Sequence, residues 1–343
     1  MTDPTSTTGG PAGDAATQNP RRPDRLRSRR RAALRLRRGR AVGLPARHGD
    51  HRLGRSDSGH TGVPRDEVAD GFVERIVYPV RGGAPDPAQN WADLYLPPGD
   101  RRAGALPLVV YLQGSAWNGG AHGARRVSSD LASRGLAVLN VEYRRADEGG
   151  GWPTTFTDVA DALDHVPTIA GHRPGISVDD ATVVGHSAGG QLAAWAGFRG
   201  QLDQDRVGAN PRFSPARVVS LAGPLDLVRA AENGDDNIVE AMGGTPSELP
   251  GAYDGIDPIR NIDRDLAVVA VHGTGDSLVP PGNSERYVEA ARNAGADAEL
   301  VLFRGAGHKS FLSSSSSHYG RLLSIIHRTA TVPRQELDGG LFR

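Results

Sequence analysis

The chain contains no cysteine, so disulfides and thiolate metal sites are excluded and the redox compartment is left open. Lysine is nearly absent: Lys309 is the single one among 40 basic residues, an arginine bias that speaks of GC-rich coding more than of function. No run of about 18 apolar residues occurs, so no segment is expected to span a membrane. Walker phosphate loops, Rossmann glycine fingerprints and zinc-type histidine spacings are missing as well, so no metal or organic cofactor is expected. Net charge is zero, with 40 basic and 40 acidic side chains, but the balance conceals two unlike parts. Residues 1–60 carry 14 arginines against 5 aspartates, and the remainder carries 26 basic against 35 acidic side chains. The body is therefore mildly acidic, which argues against a nucleic-acid groove on it.

Residues 1–60 show no sustained helical or strand period and run into "RRPDRLRSRRRAALRLRRGR". A disordered leader outside the fold is the expectation, with residues 61–343 as the folded domain. Arg29, Arg30 and Arg31 resemble a twin-arginine export signal, but Arg35, Arg37 and Arg38 interrupt the apolar stretch that should follow. A cytoplasmic protein is expected on that ground; a processed or frame-misread leader would point to export instead.

From residue 61 onward, strand-like and helix-like segments alternate. The strands fall at 72–80, 91–96, 106–112, 137–143, 181–185, 218–221, 266–272 and 300–303, and the helices at 126–134, 156–166, 191–198, 284–294 and 319–328. Short runs of Val, Leu and Ala separated by amphipathic helices predict a mostly parallel sheet of eight strands with helices on both faces. The first two strands have no helix between them and should pair as an antiparallel hairpin at one edge. The serine run at 313–317 reads as a flexible loop.

The strand at 181–185 leads into Gly185-His186-Ser187-Ala188-Gly189-Gly190, and a helix follows. G-x-S-x-G between a strand and a helix fits a nucleophilic serine on a sharp turn: glycines remove the Cβ atoms that would collide, and the helix start aims its free N–H groups at the reaction site. Serine needs a base, and the base needs an acid to fix its tautomer. Loops beyond the last two strands supply both: Asp276 in "HGTGDSLVP" and His308 in "RGAGHKSF". The order Ser187, Asp276, His308 is that of an α/β-hydrolase triad. Asp226 in "GPLDL" is the rival acid. His186 reads as a structural neighbour of the elbow with a weaker claim on the substrate pocket, and His272 as part of a strand-end turn.

These motifs, together with "NWADLYLP", "VVYLQGSAWNGG", "NVEYRR" and "MGGTPSELPGAYDGIDPI", make residues 70–330 resemble the α/β-hydrolase superfamily, within its esterase/lipase and kynurenine-formamidase-like group. The resemblance implies a serine carboxylesterase with a short cap insertion and no cofactor. The group's His-Gly-Gly-x-Trp oxyanion motif aligns on Gln113-Gly114-Ser115-Ala116-Trp117, with glutamine and serine as departures. The oxyanion donors are then backbone N–H groups of Ser115 and Ala188, with Gly114 as a third. Ser115 can supply its N–H if its backbone angles allow it, and the Gln113 amide, which both donates and accepts, is expected to replace the histidine brace. Gln113 and Trp117 are further pocket candidates. The insertion holding "AAENGDDNIVEAMGG" is short and acidic, which disfavours long lipid chains and favours small acyl or aryl esters. Three alternatives stay open: an arylformamidase-type amide hydrolase, a catalytically weakened binding protein of the same fold, and an adaptor working through the basic arm. The oligomeric state is not readable.

Overall fold

The computed structural model describes residues 72–99 and 106–333, so the expected leader lies outside the described residues. Strands β1 (Phe72–Val77) and β2 (Trp91–Leu96) pair antiparallel, as their missing connection helix predicts. Strand β2 then pairs antiparallel with β4 (Ala137–Val141). Beyond it, β3 (Leu106–Leu112), β5 (Ile176–His186), β6 (Arg217–Leu221), β7 (Ala267–Gly273) and β8 (Ala298–Phe303) continue in parallel, giving the order β1-β2-β4-β3-β5-β6-β7-β8.

Alternation within the strands feeds two cores. In β3, Leu108, Val110 and Leu112 join one apolar cluster, while Val109 and Tyr111 join the other. In β7, Val268 and Ala270 face one way and Val269 and Val271 the other. Successive strand side chains point to opposite faces, so near-continuous apolar strands require cover on both. The cover comes from α1 (Arg125–Ala132), α2 (Thr154–Asp164), α3 (Val166–Gly171), α4 (Ala188–Phe198), α8 (Gly282–Asn293) and α9 (Tyr319–Thr331). Helix α4 is buried along its whole length, with Trp195 edge-on to Phe156 at 5.2 Å. Burying each such large apolar side chain contributes about 1.5–3 kcal/mol.

Between β6 and β7 the short cap consists of α5 (Leu227–Glu232), α6 (Asp236–Met242) and α7 (Pro250–Asp254). Buried Asp257 ties it down by accepting from the N–H groups of Leu227 at 2.9 Å and Val228 at 3.1 Å. Gln191 of α4 adds a bond to the Ile256 carbonyl at 2.7 Å.

Two boundaries differ from expectation for local reasons. Strand β5 starts at Ile176 rather than 181 because Ile176 and Ser177 pair with Leu106 and Pro107, while exposed Asp179 and Asp180 fall in the register shift before Thr182 pairs with Val109. Helix α4 starts at Ala188 because Gly189 and Gly190, poor helix formers, are taken into its first turn by the elbow. The serine run forms successive hydrogen-bonded turns, including Ser316 N–H to the Ser313 carbonyl at 2.9 Å. Among the described residues, no helix is long and apolar enough to cross a membrane.

Candidate active site

Ser187 joins β5 to α4 with φ 57° and ψ −123°, a strained backbone for a residue with a side chain. Its neighbours show why only glycine fits there. A Cβ on Gly185 would lie 1.9 Å from the Gly189 carbonyl oxygen, and one on Gly189 would lie 2.1 Å from that of Leu112. The Ser187 N–H is anchored to the Leu221 carbonyl of β6 at 2.8 Å.

The loops after β7 and β8 converge on this serine. His308 Nε2 lies 2.8 Å from Ser187 Oγ, and its Nδ1 lies 2.7 Å from Asp276 Oδ2. A carboxylate only accepts, so Nδ1 carries the proton and the Nε2 lone pair faces the hydroxyl, which donates. Burial works against charge on Asp276, but hydrogen bonds from His272, His308 and the Val279 N–H outweigh it and hold the carboxyl well below the usual carboxylate range. Its Oδ1 also accepts from the N–H groups of Leu278 and Val279, each at 3.0 Å.

Two buried histidines stand beside the triad, and only His272 takes a part that sequence patterns did not give it. His272, assigned to a strand-end turn, is fully buried with Nε2 3.3 Å from Asp276 Oδ2 and 2.8 Å from the Val279 carbonyl. Its Nδ1 meets Ser284 Oγ at 2.7 Å. Its position four residues before Asp276, at the end of β7, was the available signal. His186 is likewise buried, and burial lowers its pKa to about 4, so it stays neutral near pH 7 and donates Nε2–H to the His308 carbonyl at 2.9 Å. The rival acid Asp226 is instead paired with Arg286 at 2.6 Å.

The loop after β3 forms the opposite wall. A Cβ on Gly114 would lie 2.1 Å from the His186 carbonyl oxygen and 2.9 Å from Ser187 Cβ, so backbone rests directly on the elbow. Ser115, Ala116 and Trp117 follow with φ of 67°, 54° and 60°, a left-handed turn closed by Asn118 N–H to the Ser115 carbonyl at 2.9 Å. Each such residue costs on the order of 1–3 kcal/mol, so the turn persists only if braced. Tyr143 supplies a brace by donating its hydroxyl to the Gln113 carbonyl at 2.7 Å, and Ala146 N–H bonds the Trp117 carbonyl at 3.0 Å. The expected brace from the Gln113 amide is not made: its Nε2 is buried without a partner.

A cavity of about 280 Å³ sits where these parts meet, lined by Ser115, Ala116, Trp117, Ser187, Ala188 and His308, with cap residues Asp235 and Asn237, Leu278 and Lys309. Trp117 both packs in the core and forms wall. Gln113, Gly114 and His186 do not line this cavity; Gln113 and His186 lie buried behind it. Among the described residues, no group of three or more His, Cys, Asp or Glu side chains is disposed to hold a metal ion.

A mostly parallel eight-stranded sheet, with serine on the elbow after β5, an acid after β7 and a histidine after β8, defines the α/β-hydrolase fold. Within it, the chain belongs to the BD-FAE family, whose model matches residues 92–290. It is 26% identical over 276 residues to a probable isoprenylcysteine alpha-carbonyl methylesterase of Arabidopsis thaliana, covering 74% of this chain and 62% of that protein. It is 29% identical over 229 residues to esterase LipQ of Mycobacterium tuberculosis, covering 63% of this chain and 52% of that one. The chain thus spans about three fifths or less of the length of these curated relatives. Among solved structures, a truncated form of a carbohydrate esterase from gut microbiota shares the fold, with a TM-score of 0.63, 23% identity, and coverage of 77% of this chain and 99% of that one.

Proposed function

We propose that the chain is a carboxylic ester hydrolase working through an acyl-enzyme on Ser187, within a catalytic domain at 61–343 and with residues 1–60 as a leader outside it. The observation that carries this reading is the unbroken hydrogen-bond chain from Ser187 Oγ through His308 to Asp276, at 2.8 and 2.7 Å. His308 takes the hydroxyl proton as Ser187 attacks the ester carbonyl, and ionised Asp276 stabilises the imidazolium that forms. The proton then passes to the departing alcohol oxygen. Water, deprotonated by the same histidine, cleaves the acyl-enzyme and restores the serine.

Backbone N–H groups of Ser115 and Ala188, with Gly114 as a third, stabilise the tetrahedral oxyanion; each such donor is worth about 10²–10³ in turnover. Short acyl or aryl groups suit a cavity of about 280 Å³ walled by Ala116 and Trp117. The esterase names of the relatives agree with this chemistry.

The test is turnover of p-nitrophenyl esters of increasing acyl length by the wild type and by Ser187→Ala. Wild-type activity should be highest on acetate to butyrate and fall on longer chains. The variant should lose about 10⁴-fold or more in kcat while keeping its thermal unfolding transition. A variant with residual activity near that of the wild type would remove Ser187 from the mechanism.

A further inference from the structure

The loop that carries Asp276 is anchored differently along its two halves. On the near side, Thr274 N–H bonds the Phe303 carbonyl at 3.0 Å and Gly275 N–H bonds the Ala306 carbonyl at 2.9 Å. Those bonds stitch it to the segment that leads from β8 to His308. The far side runs through exposed Ser277 and Leu278 to buried Val279. The bonds from the Leu278 and Val279 N–H groups to Asp276 Oδ1 lie within the loop and move with it. Val279 is tied back to β7 through its carbonyl, which accepts Nε2–H of His272 at 2.8 Å.

The same Nε2 lies 3.3 Å from Asp276 Oδ2, the oxygen that stands 2.7 Å from His308 Nδ1. One N–H therefore faces both the loop and the working oxygen of the acid. A carbonyl only accepts, so Nε2 carries the proton, and Nδ1 of the neutral ring accepts from the Ser284 hydroxyl of α8 at 2.7 Å. Both His272 and Ser284 are fully buried. In the other tautomer the Nε2 lone pair would point at a carbonyl and a carboxylate, which repel it.

We propose that His272 is a positioning residue for the triad, with Ser284 selecting the tautomer whose Nε2–H holds Asp276 and its loop in line with His308. The proposal rests on the ester-hydrolase reading and adds two residues to the machinery it describes.

The test measures kcat and KM for p-nitrophenyl butyrate from about pH 5 to 9 in the wild type, His272→Phe, His272→Gln and Ser284→Ala. Titratable groups surround His308: Asp276 after β7, His186 at the end of β5, Asp235 of the cap across the cavity, and Lys309 beside it in the chain. Of these, His272 approaches Asp276, so a change in the profile on altering His272 reports on the acid. In His272→Phe, kcat should fall roughly tenfold with KM little changed. The acidic limb of kcat/KM should move to lower pH, because an ill-placed carboxylate stabilises the imidazolium less. His272→Gln, which can donate to Val279 and accept from Ser284, should recover most of the loss. Ser284→Ala should show a smaller fall in the same direction, and it carries the test if His272→Phe does not fold. Unchanged kcat and limb in folded His272→Phe, or in Ser284→Ala, would overturn the proposal and leave the hydrolase reading intact. So would a limb moved to higher pH with kcat retained, since His272 would then compete for the acid and not position it. Absence of esterase turnover by the wild type would overturn both readings.

Discussion

Two turns meet over the cavity, and they hold their strain in different ways. The elbow at Ser187 places one side-chain-bearing residue at positive φ and surrounds it with glycines at 185, 189 and 190. The oxyanion loop places three consecutive side-chain-bearing residues, 115–117, at positive φ. Clearance solves the first problem and bracing the second. The two also interlock: Gly189 of the elbow is bare where the Leu112 and Gln113 carbonyls pass, and Gly114 of the loop is bare where the His186 carbonyl passes. Neither turn has room to shift without moving the other, which is how backbone donors on one are kept in register with a nucleophile on the other.

The largest effect is expected where the interlock is broken. In Gly189→Ala the new Cβ would need to occupy space 2.1 Å from the Leu112 carbonyl oxygen and 2.6 Å from that of Gln113. Esterase activity should drop about 10³-fold or more, with loss of several kcal/mol in stability measured by urea unfolding. Retained activity would mean that the loop yields freely and the interlock is unimportant.

A smaller effect tests the bracing alone. Tyr143→Phe removes one buried hydrogen bond to the Gln113 carbonyl while keeping the packed ring. Stability should fall by about 1–3 kcal/mol, because the carbonyl is left buried and unpaired. Turnover should fall about tenfold with KM little changed, since a loosened oxyanion loop affects the transition state more than the ground state. A rise in KM with kcat preserved would instead give Tyr143 a role in substrate binding.

The smallest effect on activity, but one with a distinctive pH signature, concerns Glu142. It is buried beside the loop, where its carboxylate accepts the Ala121 N–H at 2.7 Å. Burial raises its pKa to about 7 despite hydrogen bonds from the Ala121 and Tyr143 N–H groups and the nearby Arg145 charge. A carboxyl raised in the folded state binds its proton more tightly there than in the unfolded chain. Its contribution is therefore fully present below about pH 4.5 and lost as pH rises through about 7, by up to about 3 kcal/mol. Glu142→Gln keeps an acceptor without the charge, so urea unfolding between pH 4.5 and 8 should show a decline in the wild type that the variant lacks. Parallel profiles would show that the buried charge costs nothing.

Local patterns went far in this chain because the elbow writes its requirements into adjacent residues. Gly185, Ser187 and Gly189 are close in sequence, and a Cβ at either glycine would collide with the backbone of the elbow or of β3, so their spacing carries the geometry. Asp276 and His308 were readable because the fold puts functional loops at the carboxyl ends of strands. The bracing groups were not, since each acts across long separations: Tyr143 on Gln113, His186 on His308, and Asp257 on the start of α5. Gln113 shows the limit of substitution by analogy. An amide has the donors and acceptors to replace an imidazole, yet its Nε2 finds no partner, and a tyrosine hydroxyl thirty residues away holds the Gln113 carbonyl instead. The early start of β5 was hidden for a related reason: exposed Asp179 and Asp180 interrupt the apolar run with charges that a buried strand would not tolerate.

The central claim, that Ser187 is a nucleophile activated by His308 and Asp276, is tested most directly by covalent labelling. Folded wild-type protein is treated with a fluorophosphonate at neutral pH, and the modified peptide is mapped by mass spectrometry. The account predicts a single adduct on Ser187, abolished in Ser187→Ala and strongly slowed in His308→Ala and Asp276→Asn. No adduct on folded protein, or labelling of Ser187 that is equally fast without His308, would contradict it.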